Sequence, residues 1–193
     1  MARPRSIDEP DLIAALARIF GDVGYEGASL SQLARATGLQ KASLYHRFPG
    51  GKAQMAEEVL KALQAWVEGE VLAHLNGDGP PSERLHRALA SFATIYDGGA
   101  RACLLNMLST PRQEDGPLSP AIHAAFTALI DGFTRLARDA GQDAATARAT
   151  GERAVMLVQG SLVLCRGTRS NAPFARALAS IEHDLIPSQG ATP

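Results

Sequence analysis

Between residues 122 and 136 the apolar side chains Ile122, Phe126, Leu129, Phe133 and Leu136 step by four, three, four and three. Only an α-helix turns that spacing into a single stripe, and a stripe this regular must be buried against other helices. The same period recurs along the chain, and no stretch alternates with the period of two that a half-buried strand requires. The expected fold class is all-α, with about nine helices.

Ile13, Leu16, Ala17, Phe20 and Val23 form the first stripe, and Gly24 is expected to end it. Ser29-Leu30-Ser31-Gln32 has the Ser-x-x-Gln form of a capping box, so a second helix starts there and runs to about Thr37. Gly38 breaks it. A third short helix carries Lys41 to Arg47 and stops near Pro49-Gly50-Gly51. A long fourth helix, from about Lys52 to Leu75, places Met55, Val59, Leu63, Trp66 and Val67 on one side. After the loop "NGDGPPSE" come a fifth helix, Leu85 to Tyr96, and a short apolar one, Cys103 to Leu108. Beyond the loop "STPRQEDGPLSP" lie the striped seventh helix, an eighth from Ala144 to Arg166 and a ninth from Phe174 to Ile186; the tail after Pro187 is expected to fray.

The formal net charge of −1 conceals an asymmetry. Residues 1–52 hold seven Lys and Arg against five Asp and Glu, a balance of +2, and the remainder holds twelve against fifteen, a balance of −3. Every acid in the first part lies at or before Glu26, so the segment "LARATGLQKASLYHRFPGGK" from Leu33 to Lys52 is basic without a carboxylate. A local excess of this kind suits a polyanion, because each phosphate neutralised releases condensed counterions. Two short helices joined by a tight turn at Gly38 read as a helix-turn-helix, with Ala34 allowing close approach and Leu33, Leu39, Leu44 and Phe48 facing inward. The second helix of such a pair fits the major groove.

The ordered set Gly24, Ser29, Ala34, Gly38, Ser43-Leu44-Tyr45, Phe48 and Lys52 resembles the N-terminal DNA-binding domain of TetR-family transcriptional regulators, over Ile13 to Leu60. The resemblance implies a helix-turn-helix domain over residues 1–52 and a helical ligand-binding and dimerisation domain over residues 53–193. It also implies phosphate contacts from Ser29, Tyr45 and Lys52, and base or phosphate contacts from Lys41, Ser43, His46 and Arg47, with Ser31 assisting. Arg3 and Arg5 in a leading arm are candidate additional contacts. Two positions depart from the family pattern. Gln40 stands where Ser or Thr often caps the recognition helix; Gln caps poorly and is free to reach a base or phosphate. "FPGGK" has one residue more than the commoner spacing before the lysine.

In the larger domain Val155, Val158, Leu162 and Cys165 form one seam of the eighth helix, while Met156, Leu157, Val163 and Leu164 cover its other sides. A helix apolar nearly all round needs partners nearly all round, so a subunit interface is expected there, with Gly160 and Ser161 permitting close approach. Phe174, Leu178, Ile181 and Leu185 of the ninth helix extend it, matching the family's four-helix dimer interface. Two recognition helices about 34–36 Å apart would read a palindromic operator on double-stranded DNA. The expected function is a homodimeric repressor released by a small apolar or amphipathic effector. Candidate pocket residues are Trp66, Phe92, Tyr96, Cys103, Met107, His123, Phe126, Met156 and Gln159. A ligand-independent repressor, or one controlled by oxidation of Cys103, is the alternative.

An enzyme is the weakest reading. The chain has no Gly-x-Ser-x-Gly elbow, phosphate-binding glycine loop or dinucleotide fingerprint, and His74, His86, His123 and His183 are scattered. Two cysteines, Cys103 and Cys165, have neither metal-ligand spacing nor a disulfide framework, so no metal or cofactor is expected. Residues 1–10 lack the apolar core of a signal peptide, and the greasiest run, Ala154 to Cys165, is too short to cross a bilayer. A cytoplasmic protein with no membrane partner is expected.

Overall fold

A computed structural model of the chain describes residues 7–109 and 116–186. Arg3, Arg5, residues 110–115 and residues 187–193 lie outside the described residues. Among the described residues the regular structure is helical throughout. The helices are α1 (Glu9–Gly27), α2 (Leu30–Thr37), α3 (Lys41–Arg47), α4, α5 (Pro81–Ile95), α6 (Leu104–Leu108), α7 (Ser119–Asp139), α8 (Ala144–Thr168) and α9 (Ala172–Leu185). Helix α4 starts as Gly51–Val67, passes through a π-helical stretch at Glu68–Leu72 and ends as Ala73–Asn76. No described helix is long and apolar enough to cross a membrane.

Contacts gather the chain into two compact units, one of residues 1–64 with 103–122 and the other of residues 65–102 with 123–193. The contacts therefore do not divide the chain at residue 52. The first part of α4 belongs with the helix-turn-helix because Met55, Ala56, Val59 and Leu60 bury themselves in its core.

In the first unit, Leu12, Leu16 and Phe20 of α1 are fully buried one turn apart, and Asp8 caps the helix by accepting the Asp11 N–H at 3.0 Å. Leu16 and Phe20 of the sequence stripe are in the core, but its ends differ: Leu12 is buried where Ile13 is half-buried, and Val23 is 41% exposed. Gly24 leaves the helical conformation at φ 76°, ψ 173°, a region a side chain resists. The short helix α6 packs on this part of α1, with the Leu104 side chain opposite Gly21 and the Met107 carbonyl opposite Gly24. Helix α2 begins with the expected capping box and ends on Gly38 in the left-handed region at φ 68°.

In the second unit α8 lies along α9. An aromatic train fills the interior: Phe92 stacks on Tyr96 and on Phe133 at 6.0 and 6.1 Å, and Tyr96 meets Phe174 edge-on at 5.8 Å. Arg84, 5% exposed, satisfies the end of α4 by donating to the Leu75 carbonyl, and pairs with Asp139 of α7 at 2.8 Å. Gly151 lets α8 touch α7, since a Cβ there would lie 2.4 Å from Thr134 Oγ1 and 2.7 Å from the Ile130 carbonyl.

Candidate nucleic-acid interface

Helix α3 is held by one side and bare on the other. Leu44, fully buried, fixes it from within, and Phe48, 5% exposed, fixes the chain as it leaves. Lys41, Ala42, Ser43, Tyr45, His46 and Arg47 are all exposed, and Leu39, Ala42, Ser43, His46 and Arg47 line an open depression along the outer face. Gln40 occupies the N-cap position but makes no capping hydrogen bond, so its amide remains on the surface. Acidic residues are missing from Gly27 through Met55, so no carboxylate from that stretch competes for the donors and cations on the face.

The remaining candidates differ in how far they are already committed. Ser29 N–H and Oγ both donate to Gln32 Oε1, at 2.9 and 2.6 Å, and Oγ accepts the Gln32 N–H at 3.3 Å. Its hydroxyl proton is therefore spent on the cap, and a phosphate contact from Ser29 would require that bond to open. Ser31 is exposed. Arg47 turns back to α1, pairing with Glu9 at 3.5 Å and donating to the Ile7 carbonyl at 3.5 Å. An exposed pair of this kind is worth about 0–1 kcal/mol, so a phosphate can displace it at little cost. Lys52 is half-buried rather than free: its Nζ donates to the Tyr25 carbonyl at 2.9 Å and sits 4.5 Å from the Tyr25 ring centre. Arg35, absent from the sequence candidates, stands exposed in the last turn of α2 with no hydrogen bond or ion pair among the described residues. The missing carboxylates around it were the signal that could have found it.

The pocket and interface candidates are redistributed more heavily. Cys103 and Met107 belong to the first unit, whereas Trp66, Phe92, Tyr96, His123, Phe126, Met156 and Gln159 belong to the second. Cys103 is only 2% exposed, which gives no support to a reactive thiol. His123 is exposed and Met156 is 63% exposed, so neither lines the interior. Phe92 and Tyr96 are packed core aromatics, while Trp66, Phe126 and Gln159 are half-buried. The Gln159 Oε1 is buried with no hydrogen-bond partner among the described residues.

Val155, Val158, Leu162 and Cys165, together with Phe174 and Ile181, are between 1% and 8% exposed within the chain itself, and Leu178 is half-buried. This corrects the expected seam: the most regular apolar stripe of α8 is the one its own chain covers. The bare apolar face carries Met156, Val163 (46% exposed) and Leu164 (56% exposed), with Gly160 and Gly167 beside them and open space over both glycines. Ser161, unlike Gly160, faces inward.

The family described as "Bacterial regulatory proteins, tetR family" matches residues 12–59, and "Transcriptional regulator LmrA/YxaF-like, C-terminal domain" matches residues 81–180. The HTH-type transcriptional regulator LmrA of Bacillus subtilis is 23% identical over 180 residues, covering 91% of this chain and 94% of that protein. A TetR transcriptional regulator from Legionella pneumophila superposes with a TM-score of 0.79 at 20% identity, over 94% of this chain and 98% of that one. A cysteine-substituted TetR family regulator, CifR, complexed with 26 bp double-strand operator DNA, superposes with a TM-score of 0.73 at 24% identity, over 95% and 98%. These likenesses cover both the bare recognition helix and the helical domain that follows it in the sequence, and the chain belongs to the TetR family, transcriptional regulators that bind DNA and are not enzymes.

Proposed function

We propose that the chain is a homodimeric repressor that grips a palindromic operator through α3 and is released by a small apolar or amphipathic effector. The observation that carries the reading is the outer face of α3, where Gln40, Lys41, Ser43, Tyr45 and His46 project from a helix pinned at Leu44 and Phe48. Long donors such as Lys41 reach guanine edges, Gln40 suits adenine, and Tyr45 with Arg35 and Lys52 offers phosphate contacts that set the register. Operator DNA in the CifR complex supports a duplex as the partner.

The exposed apolar face of α8 supports the dimer. Met156, Val163 and Leu164 leave an apolar surface that water solvates poorly, and Gly160 and Gly167 would let a second copy of the helix come close. Two heads held in this way would meet successive major grooves. The effector would enter the second unit among Trp66, Phe92, Tyr96, Phe126 and Gln159, where the Gln159 Oε1, without a partner among the described residues, offers an acceptor to a donor on the ligand. To turn a mostly bound population into a mostly free one, the effector must favour the released state by about 5.5 kcal/mol.

Fluorescence anisotropy with DNA flanking the protein's own coding region, repeated with a panel of apolar and amphipathic metabolites, tests the reading. Saturable, salt-sensitive binding that at least one compound reverses is the expected result. Operator binding unmoved by every compound would leave a ligand-independent binder, and absence of any salt-sensitive duplex binding would end the DNA-binding assignment of α3.

A further inference from the structure

The contact between Lys52 and Tyr25 joins two stretches 27 residues apart and involves a backbone acceptor that a regular helix would have used. Gly24 leaves helical geometry one residue earlier, and the Ser29 N–H, four residues beyond Tyr25, is spent on Gln32 Oε1. The Tyr25 carbonyl is thereby one of the open acceptors of a helix end, and Lys52 Nζ fills it at 2.9 Å. The Tyr25 ring lies 4.5 Å from the same ammonium and stacks at 6.2 Å on the fully buried Phe20. The platform beneath Lys52 is therefore anchored to the core of its unit.

An ammonium has three donors, and the Tyr25 carbonyl takes one. The ring face covers a second side of the cation, which leaves the ammonium one N–H for an incoming anion. Holding the head group in place also removes rotamer entropy that an unrestrained lysine would lose on binding. Burial and the nearby Glu26 and Glu57 push the Tyr25 phenol up from its ordinary value, so the ring is neutral and attracts through its face.

We infer that Tyr25 is a positioning residue for DNA binding, a platform whose ring and carbonyl present the Lys52 ammonium to a backbone phosphate. The inference rests on the reading of Lys52 as a phosphate contact. It also accounts for how "FPGGK", with its extra residue, keeps its lysine at a defined place.

The test measures binding of a mixed-sequence duplex at low ionic strength, since a phosphate contact acts on any sequence. Lys52→Met should weaken binding and reduce the salt slope by about 1. Tyr25→Phe should bind like the parent. Tyr25→Leu should weaken binding about two- to fivefold, and Tyr25→Leu combined with Lys52→Met should be no weaker than Lys52→Met alone. Pentafluorophenylalanine at position 25 keeps the shape of phenylalanine but reverses the ring's charge distribution; it should fall to the Tyr25→Leu level, and it decides the matter if Tyr25→Leu fails to fold. Pentafluorophenylalanine binding like Tyr25→Phe, a folded Tyr25→Leu binding as well as or better than the parent, or losses that add in the double variant would overturn the inference. Unchanged binding by Lys52→Met would remove the phosphate reading itself, and Tyr25 would then have nothing to present.

Discussion

Lys41 and Arg35 show how much a side chain's availability matters once its type is settled. Both are exposed cations without an ion pair among the described residues, one at the start of the recognition helix and one in the last turn of α2. Lys41→Ala is expected to weaken operator binding by about 1–3 kcal/mol and to flatten the preference for one base at its contact. Arg35→Ala should instead weaken operator and mixed-sequence duplex alike and reduce the salt slope by about 1. Anisotropy titrations at several salt concentrations on both duplexes separate the two outcomes. The acid-free run made these positions legible as a basic face. It could not reveal that Arg47 leans on Glu9 and the Ile7 carbonyl, or Lys52 on Tyr25, because those partners come from α1 and its approach, as far as 40 residues away. Residue type is written locally; commitment to a partner depends on the tertiary fold.

Among the elements, the helix ends were the most readable features, since caps use neighbouring residues. The Ser29–Gln32 box and the left-handed Gly38 need nothing from outside α2. Seams were harder to place. A stripe at helical spacing says that α8 is covered along Val155, Val158, Leu162 and Cys165, but cannot say whether its own chain or a second copy covers it. Two substitutions probe the packing. Gly151→Ala should destabilise the fold by about 1–3 kcal/mol, because its new methyl would press on Thr134 Oγ1 and the Ile130 carbonyl; urea unfolding reads this directly. Arg169 closes α8 at φ 54°, so Arg169→Gly should relieve about 1 kcal/mol of strain and raise the melting temperature. The start of α8 carries a pH dependence. The Asp143 carboxylate accepts from Thr146 Oγ1 and from the Thr146 and Ala145 N–H groups, which holds its pKa below the ordinary value. Its contribution is present above the unfolded-state value and disappears as the pH falls through the depressed one. The stability gap between the parent and Asp143→Ala should therefore narrow on acidification, as urea midpoints across that range would show.

For the whole molecule, the proposed dimer makes the bare face of α8 the place to test. Val163→Glu places a charge where Met156, Leu164 and the open glycines expose apolar surface, and it touches none of the buried seam. The variant should run as a folded monomer by light scattering, with its operator affinity reduced by orders of magnitude because each head then binds alone. A folded dimer would move the interface elsewhere. The placement of α6 bears on how the protein can be dissected. Residues 103–122 join the unit that carries the recognition helix, and Leu104 and Met107 lie against Gly21 and Gly24, directly before Tyr25. The DNA-reading portion is therefore not a cassette that ends where α4 begins. A chimera that grafts only the leading residues onto a foreign regulatory half would leave α1 without its backing, and a working transplant must bring this later stretch along.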